Sequence, residues 1–175
     1  MTPDKTTRLI NTLKNKEKIR VLFVCLGNIC RSPAAEGVMR RIVDEAGDAD
    51  RWVIDSAGTG GWHVGQLPDK RMRVHGARRG LTLDHHCRQV RQADFDNFDL
   101  IVAMDDSNYA DLRELAPTLD AADKIVKMID FADMATRYDC IPDPYYEGAE
   151  GFELVLDLLD DACHHLYTAL TPYAD

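Results

Sequence analysis

The chain has 175 residues, which is enough for one well-buried domain and short for two. Its hydrophobic fraction of 45% and charged fraction of 29% are those of an ordinary globular protein. The formal net charge of −9 argues against general binding to nucleic acid or to anionic membranes, because both need basic surfaces.

Targeting signals are not apparent in the sequence. No apolar run approaches the roughly 18–20 residues that a bilayer span requires. Residues 1–20 mix Lys, Thr, Asn and Leu and lack the apolar core of about 7–15 residues that a secretory signal needs. We therefore expect a cytoplasmic protein without a membrane or nucleic-acid partner.

The cysteine and histidine spacing predicts neither a disulfide framework nor a metal site. The five cysteines are Cys25, Cys30, Cys87, Cys140 and Cys163. An odd number of cysteines in a chain that is expected to be cytoplasmic does not suggest structural disulfides. No cluster has zinc spacing, and neighbouring residues such as His85-His86 or His164-His165 point apart on a helix or strand. We expect no metal and no cofactor.

The first predicted elements are a strand and a helix joined by a short loop. Residues 20–25 are almost wholly apolar, which is typical of a strand buried on both faces. Gly27-Asn28 interrupts this run, and Ser32-Pro33 supplies a helix start. Apolar residues then recur at helical spacing, and Gly47 is predicted to end the helix.

The alternation continues to the end of the chain. Further strands are predicted at 52–56, 100–104 and 125–128, and further helices at 69–79, 106–115 and 151–170. This order predicts a single α/β domain over residues 19–175, with a small four-stranded parallel sheet and helices on both faces. Ligands in such folds bind at the carboxyl ends of the strands, where Cys25, Ser56 and Met104-Asp105 lie. Residues 1–18 form an N-terminal extension, which Leu9, Ile10 and Leu13 predict to be helical.

The segment 25–32 carries the chemistry. It joins a buried strand to a helix N-terminus, so successive backbone N–H groups and the helix dipole can bind a dianion without a metal. Cys25 opens the loop, where its thiolate is favoured, and Arg31 can donate two hydrogen bonds to phosphoryl oxygens. We expect Cys25 to attack phosphorus and form a phosphocysteine that water hydrolyses, with Ser32 donating to the sulfur.

A cysteine, five residues, then Arg-Ser near the start of a small α/β chain resembles the low-molecular-weight protein tyrosine phosphatase family. The likeness covers about residues 19–170. The matching segments are the loop itself, Asp55-Ser56-Ala57-Gly58, Trp62-His63-Val64-Gly65, Met104-Asp105-Asp106-Ser107-Asn108 and Asp143-Pro144-Tyr145-Tyr146. The resemblance implies a flavodoxin-like fold, hydrolysis of phosphotyrosine in proteins without a cofactor, and a monomer or weakly self-associating chain.

The general acid cannot be chosen from residue chemistry alone, because Asp130, Asp133, Asp139 and Asp143 all lie in or near the late loop. The resemblance implies Asp143 as the acid, and as the base of the second step. Two flanking prolines would fix its direction.

The resemblance also assigns the cleft walls and the phosphate-binding loop. Tyr145 and Tyr146 would form one wall, and Trp62 with Leu26 the other. Such an aromatic slot favours phosphotyrosine over phosphoserine. The implied loop residues are Leu26, Gly27, Asn28, Ile29, Cys30 and Ser32.

Supporting residues behind the loop are implied in the same way. Asn28 tolerates a left-handed backbone, and Ser56 would tie the loop to the second strand. The family places a histidine before a glycine in this network. Here the matching residue is Arg79, with His75 out of register, so this histidine is predicted to be absent.

Two further residues have two interpretations each. Asp105 either orients Arg31 or caps the following helix. Cys30 either forms a reversible disulfide with Cys25 or is a small buried residue.

Three alternative functions remain. Arsenate reduction needs further cysteines, and Cys87 has no partner before Cys140. An arginine phosphatase of the same family would carry Thr in place of Ile29. A phosphopeptide-binding module without activity would be expected to lose Cys25 or Asp143, and both are present.

Overall fold

The computed structural model describes residues 4–133 and 138–172. The helices are α1 (Lys5–Leu13), α2 (Arg31–Glu45), α3 (Lys70–Ala77), α4 (Asp94–Asn97), α5 (Asp106–Leu115), α6 (Leu119–Ala122) and α7 (Ala149–Ala169). The strands are β1 (Ile19–Cys25), β2 (Trp52–Gly58), β3 (Leu100–Ala103) and β4 (Ile125–Lys127). Short 3-10 turns at Ala49–Arg51 and Met128–Phe131 precede β2 and follow β4.

The sheet is parallel throughout, with the order β2-β1-β3-β4. Alternate side chains of β1 enter two different cores. Phe23 packs with residues of α2 and α7 on one face, whereas Leu22 packs with Phe95 and Leu112 on the other. The predicted α/β fold with a four-stranded parallel sheet is therefore confirmed.

Element bounds differ from the predictions in ways that have local causes. Helix α3 begins one residue after Asp69, whose carboxylate accepts the N–H of Arg71 as an N-cap. The short helices α4 and α6 were not predicted, because four residues are too few to display helical periodicity.

The N-terminal extension contains α1, which packs on the main core. Asp4 caps the helix by accepting the N–H of Thr7 at 2.7 Å, and Ile10 and Leu13 are buried. The boundary at residue 18 stays a prediction. No helix in the described part of the chain is both long and apolar enough to cross a membrane.

The carboxyl edge of the sheet gathers three of the chemistry-bearing segments. Strand β1 ends at Cys25 opposite Gly58 of β2, and Asp105 follows β3. Gly58 permits this packing, because a Cβ there would lie 2.7 Å from the carbonyl oxygen of Leu26. The loop after β1 therefore rests directly on the end of β2.

Candidate active site

The loop 25–32 is held in place by hydrogen bonds, and its reactive side chains are buried. Cys25 and Arg31 are each 3% exposed, and Ser32 is fully buried. Thr59 N–H donates to the Cys25 carbonyl at 2.9 Å, and Gly60 N–H donates to the Leu26 carbonyl at 2.8 Å. Asn28 has a φ of 58°, the left-handed conformation predicted for it.

The hydroxyl of Ser32 faces the sulfur of Cys25 at 3.0 Å. Its oxygen also accepts a hydrogen bond from Asn28 Nδ2 at 2.8 Å, so its single proton is left for another acceptor. Only two acceptors are in reach among the described residues, Cys25 Sγ and, at 3.3 Å, the Ala57 carbonyl. The hydroxyl can therefore turn its proton toward the sulfur when the sulfur is negative.

The side-chain amide of Asn28 has a defined orientation. Its Oδ1 accepts the backbone N–H of Arg88 at 2.9 Å, which identifies this atom as the oxygen. The second bond to Oδ1, from His85 Nε2 at 2.9 Å, must then be donated by the imidazole. On the other side, Nδ2 donates to Ser32 Oγ and Ser56 Oγ. All four hydrogen-bonding positions of the amide are thus in use.

The network continues from Ser56 to a buried carboxylate. Because Ser56 accepts from Asn28, its own proton goes to Glu36 Oε1 at 2.7 Å. The second oxygen of Glu36 accepts from Arg40 Nε at 3.0 Å. His85 Nδ1 lies 3.4 Å from Glu36 Oε1 and 3.5 Å from Asp55 Oδ1, so two carboxylates flank the imidazole.

The prediction that this network lacks a histidine is wrong. His85 joins it through Asn28, whereas Arg79 and His75 bind Glu153 at 2.8 Å and 2.5 Å. His85 was considered only as half of an adjacent histidine pair. Its approach depends on a contact distant in sequence: Val90 N–H donates to the Gly58 carbonyl, which brings the segment 85–90 against the loop. Glu36 and Arg88 were not predicted either, because their contacts with Ser56 and Asn28 also join residues that are distant in sequence.

Arg31 is fixed by two acceptors. Among the described residues both of its hydrogen bonds are donated by Nη1, to Asp105 Oδ2 at 2.7 Å and to the Ile141 carbonyl at 3.1 Å. Burial acts to lower the pKa of Arg31, but Cys25, Asp105 and Asp143 nearby raise it on balance. Asp105 also caps α5 by accepting the N–H of Asn108, so both interpretations of Asp105 apply together.

Asp143 lies at the mouth of the same site. Its Oδ2 is 3.8 Å from Arg31 Nη2, and its side chain is 44% exposed. Oδ1 accepts the N–H of Tyr145 at 3.0 Å, which forms a tight turn. The alternative acids Asp130, Asp133 and Asp139 do not line the cleft that contains Cys25.

The cleft above Cys25 has a volume of about 250 Å³. Leu26, Trp62, Tyr145 and Tyr146 all line it, as do Arg31 and Asp143. Tyr145 and Tyr146 meet edge to face, with centroids 5.0 Å apart and planes at 83°. The ring of Trp62 lies over Gly60, where a Cβ would come within 1.8 Å of it. Ser56 and Asp105 lie behind the cleft.

One cleft residue was not predicted. His63 lines the cleft beside Trp62, and its Nδ1 is 3.1 Å from Gln66 Oε1. It lies within a segment that the family resemblance already covers, so its position next to Trp62 was the available signal.

Two other thiols lie at the loop: Cys30 is part of it and lines the cleft, and Cys87 packs against it. Burial, followed by the negative charges of Asp69 and Cys25, raises the pKa of Cys30 far above the ordinary range of a thiol. Cys87 donates its S–H to the Asn28 carbonyl at 2.8 Å, and burial and the charge of Cys25 raise its pKa to about 11. A disulfide between Cys30 and Cys25 stays a prediction, since all the cysteines are free here.

Two groups of side chains have the spacing of metal ligands in the described ranges. Glu36, Asp55 and His85 form one, and they are the hydrogen-bonded network just described. Asp133, Asp161 and His165 form the other, with His165 near the end of α7. Neither group lines the cleft.

Comparison with known proteins identifies the family. The model of the low molecular weight phosphotyrosine protein phosphatase family matches residues 20–173. A low molecular weight protein-tyrosine-phosphatase from Streptomyces coelicolor is 44% identical over 152 residues, 86% of this chain and 93% of that protein.

Solved structures of phosphatases show the same fold. A protein tyrosine phosphatase from Entamoeba histolytica superposes with a TM-score of 0.82 at 46% identity, covering 86% of this chain and 95% of that one. An arginine phosphatase from Drosophila superposes with a TM-score of 0.78 at 33% identity, covering 85% and 95%.

The fold and these relatives define the class of the chain as a protein phosphatase. The chain belongs to the low molecular weight phosphotyrosine protein phosphatase family, and the predictions of family and enzyme class are confirmed.

Proposed function

We propose that this phosphatase hydrolyses phosphotyrosine in proteins through a phosphocysteine on Cys25. One observation supports this most strongly. Cys25 and Arg31 line the same cleft as Asp143, whose carboxylate is 3.8 Å from the guanidinium. A nucleophile, a phosphate-binding cation and an acid thus adjoin one space, which is what a double displacement at phosphorus needs.

In the first step the Cys25 thiolate attacks phosphorus. The S–P bond forms as the bond from phosphorus to the aryl oxygen breaks, and Asp143 gives its proton to that oxygen. Arg31 uses Nη1 to hold Asp105 and the Ile141 carbonyl, so its remaining N–H groups can bind phosphoryl oxygens. The N-terminus of α2 adds a positive dipole end at the same point.

In the second step water attacks the phosphocysteine. Asp143, now a carboxylate, accepts a proton from the water, and the S–P bond breaks to release phosphate. The departing thiolate carries negative charge, and Ser32 Oγ lies 3.0 Å away with a proton to donate. The same hydroxyl therefore assists both formation and departure of the thiolate.

The cleft walls support an aryl substrate. Leu26, Trp62, Tyr145 and Tyr146 line a space of about 250 Å³, and both tyrosines and the tryptophan offer flat apolar surfaces. Ile29 lines the same cleft and carries no hydrogen-bonding group for a guanidinium, which argues against phosphoarginine. We infer that the partners are tyrosine-phosphorylated proteins, bound by a cytoplasmic monomer or a weakly self-associating chain.

Trapping the intermediate tests this function. Acid quench during turnover of 4-nitrophenyl phosphate should give a protein heavier by one phosphoryl group, located on the peptide containing Cys25 by mass spectrometry. Activity should persist in the presence of excess EDTA. Label on another residue, or none under burst conditions, would contradict the mechanism.

A further inference from the structure

The start of α3 connects the phosphate-binding loop to the tyrosine wall of the cleft. Asp69 N–H donates to the carbonyl of Ile29 in the loop at 2.8 Å. The carboxylate of Asp69, only 11% exposed, binds Arg71 through Nε at 3.1 Å and Nη2 at 2.9 Å. The guanidinium of Arg71 is therefore held in one orientation by a residue bonded to the loop.

That guanidinium contacts two aromatic rings. Its central carbon is 5.2 Å from the centroid of Tyr145 and 4.8 Å from that of Phe152. Phe152 is 1% exposed and stacks on His75, with centroids 5.6 Å apart and planes at 5°. Arg71 thus links the ring of Tyr145, a cleft residue, to the buried side chain of Phe152.

Tyr145 in turn contacts Asp143, the proposed acid. Its N–H donates to Asp143 Oδ1 at 3.0 Å, so the position of this residue and the direction of the carboxylate are coupled. Residues 142–147 belong to no helix or strand, and Tyr146 is 93% exposed. The contact of Arg71 with Tyr145 is a side-chain anchor for this segment.

We propose that Arg71 is a positioning residue, which holds Tyr145 and thereby directs the carboxylate of Asp143 at the leaving-group oxygen. Arg71 does not line the cleft that contains Cys25. The inference rests on the proposed function, because it requires Asp143 to be the general acid. The alternative is that Arg71 only forms a partly exposed ion pair with Asp69, which would contribute little to stability.

The test compares two leaving groups by kcat/KM, which reports the first chemical step. Phenyl phosphate needs the acid's proton, whereas 4-nitrophenyl phosphate releases a stable anion and needs it much less. Arg71→Met keeps apolar packing but removes the cation and the fork. We expect a loss of roughly three- to tenfold for phenyl phosphate and little change for 4-nitrophenyl phosphate.

A matched control is available on the same helix. Arg73 lies two residues further along α3, and its Nε binds the Pro68 carbonyl at 2.9 Å. Arg73→Met should leave both substrates unchanged. Thermal unfolding should show that the variants remain folded. If Arg71→Met does not fold, Arg71→Lys keeps the charge without the planar fork, and it should show a smaller selective loss.

A double variant separates the two proposals. In the Asp143→Asn background, Arg71→Met should cause no further selective loss, because the group it positions is absent. An equal loss for both substrates, no loss, or an undiminished loss in that background would overturn the role of Arg71. If Asp143→Asn alone failed to discriminate between the substrates, the acid assignment would fail and the Arg71 proposal with it.

Discussion

The two halves of the site are built differently. In the phosphate-binding loop Cys25, Arg31 and Ser32 are buried, and the Asn28 amide has all four hydrogen-bonding positions filled. The segment 142–147 carries the acid, and Asp143 there is 44% exposed. This segment is held at its start, where Ile141 N–H donates to the Met104 carbonyl, and by the contact of Tyr145 with Arg71.

This difference separates two kinds of functional damage. A change in the loop network displaces the nucleophile and the phosphate together, so all aryl phosphates should suffer alike. A change in the acid segment leaves nucleophilic attack intact, so kcat/KM should fall mainly for poor leaving groups. The ratio of kcat/KM for phenyl phosphate and 4-nitrophenyl phosphate therefore reports which half has been altered.

The largest effect is expected from Cys25→Ser. The hydroxyl is a far weaker nucleophile than the thiolate at this site, so turnover of both substrates should fall below detection. The phosphate-binding groups remain, and calorimetry should still detect binding of inorganic phosphate. Cys163→Ala is the control, because Cys163 is buried in α7 and does not line the cleft. Near-normal activity of Cys25→Ser would falsify the proposed mechanism.

Asp143→Asn should be next in size and selective. Loss of the acid should lower kcat/KM for phenyl phosphate by roughly 10²–10⁴-fold, with a much smaller loss for 4-nitrophenyl phosphate. The matched control is Asp139→Asn, since Asp139 is an exposed carboxylate in the same loop that does not line the cleft. Equal losses for the two substrates would deny Asp143 the acid role.

Local sequence signals explain what could be predicted. The strand, the loop 25–32 and the helix start are adjacent in the chain, so periodicity and caps were enough to identify them. The conformation of Asn28 also follows from its residue type, and its φ is 58°. Family resemblance, not residue chemistry, selected Asp143 from four carboxylates.

The network behind the loop could not be predicted in the same way. His85 reaches Asn28 from 57 positions away, through pairing of its segment with Gly58 at the end of β2. Nothing in the neighbourhood of His85 in the sequence distinguishes it from His86. Only the register between the two segments does, and single-sequence patterns carry no register between distant segments.

The difference between His85 and His86 gives the third prediction. His85→Ala removes one of the two donors to Asn28 Oδ1, the other being the Arg88 N–H, which should cost about 0.5–1.5 kcal/mol of unfolding free energy. We expect kcat/KM to fall roughly tenfold for both substrates alike, because the loop rather than the acid is disturbed. His86→Ala should be silent, since His86 is exposed. A loss confined to phenyl phosphate would contradict the division of the site into two halves.

The smallest effect that we expect is that the two other thiols of the site, Cys30 and Cys87, do not react. A raised pKa means that the thiol keeps its proton at neutral pH, and a protonated thiol is a poor nucleophile. With a pKa of about 11, only about one Cys87 in ten thousand would be thiolate at pH 7, and Cys30 is shifted further in the same direction.

Iodoacetamide at pH 7 should therefore modify Cys25 while Cys30 and Cys87 stay unmodified in the folded protein. Mass spectrometry of the peptides, with a urea-unfolded sample as the reactive control, provides the measurement. Protection should weaken as the pH is raised, because the thiolate fraction of Cys87 grows tenfold with each unit below its pKa. Labelling of Cys30 or Cys87 at the rate of Cys25 at pH 7 would mean that the loop opens readily. The contrast between a rigid phosphate-binding half and a loosely held acid half would then be lost.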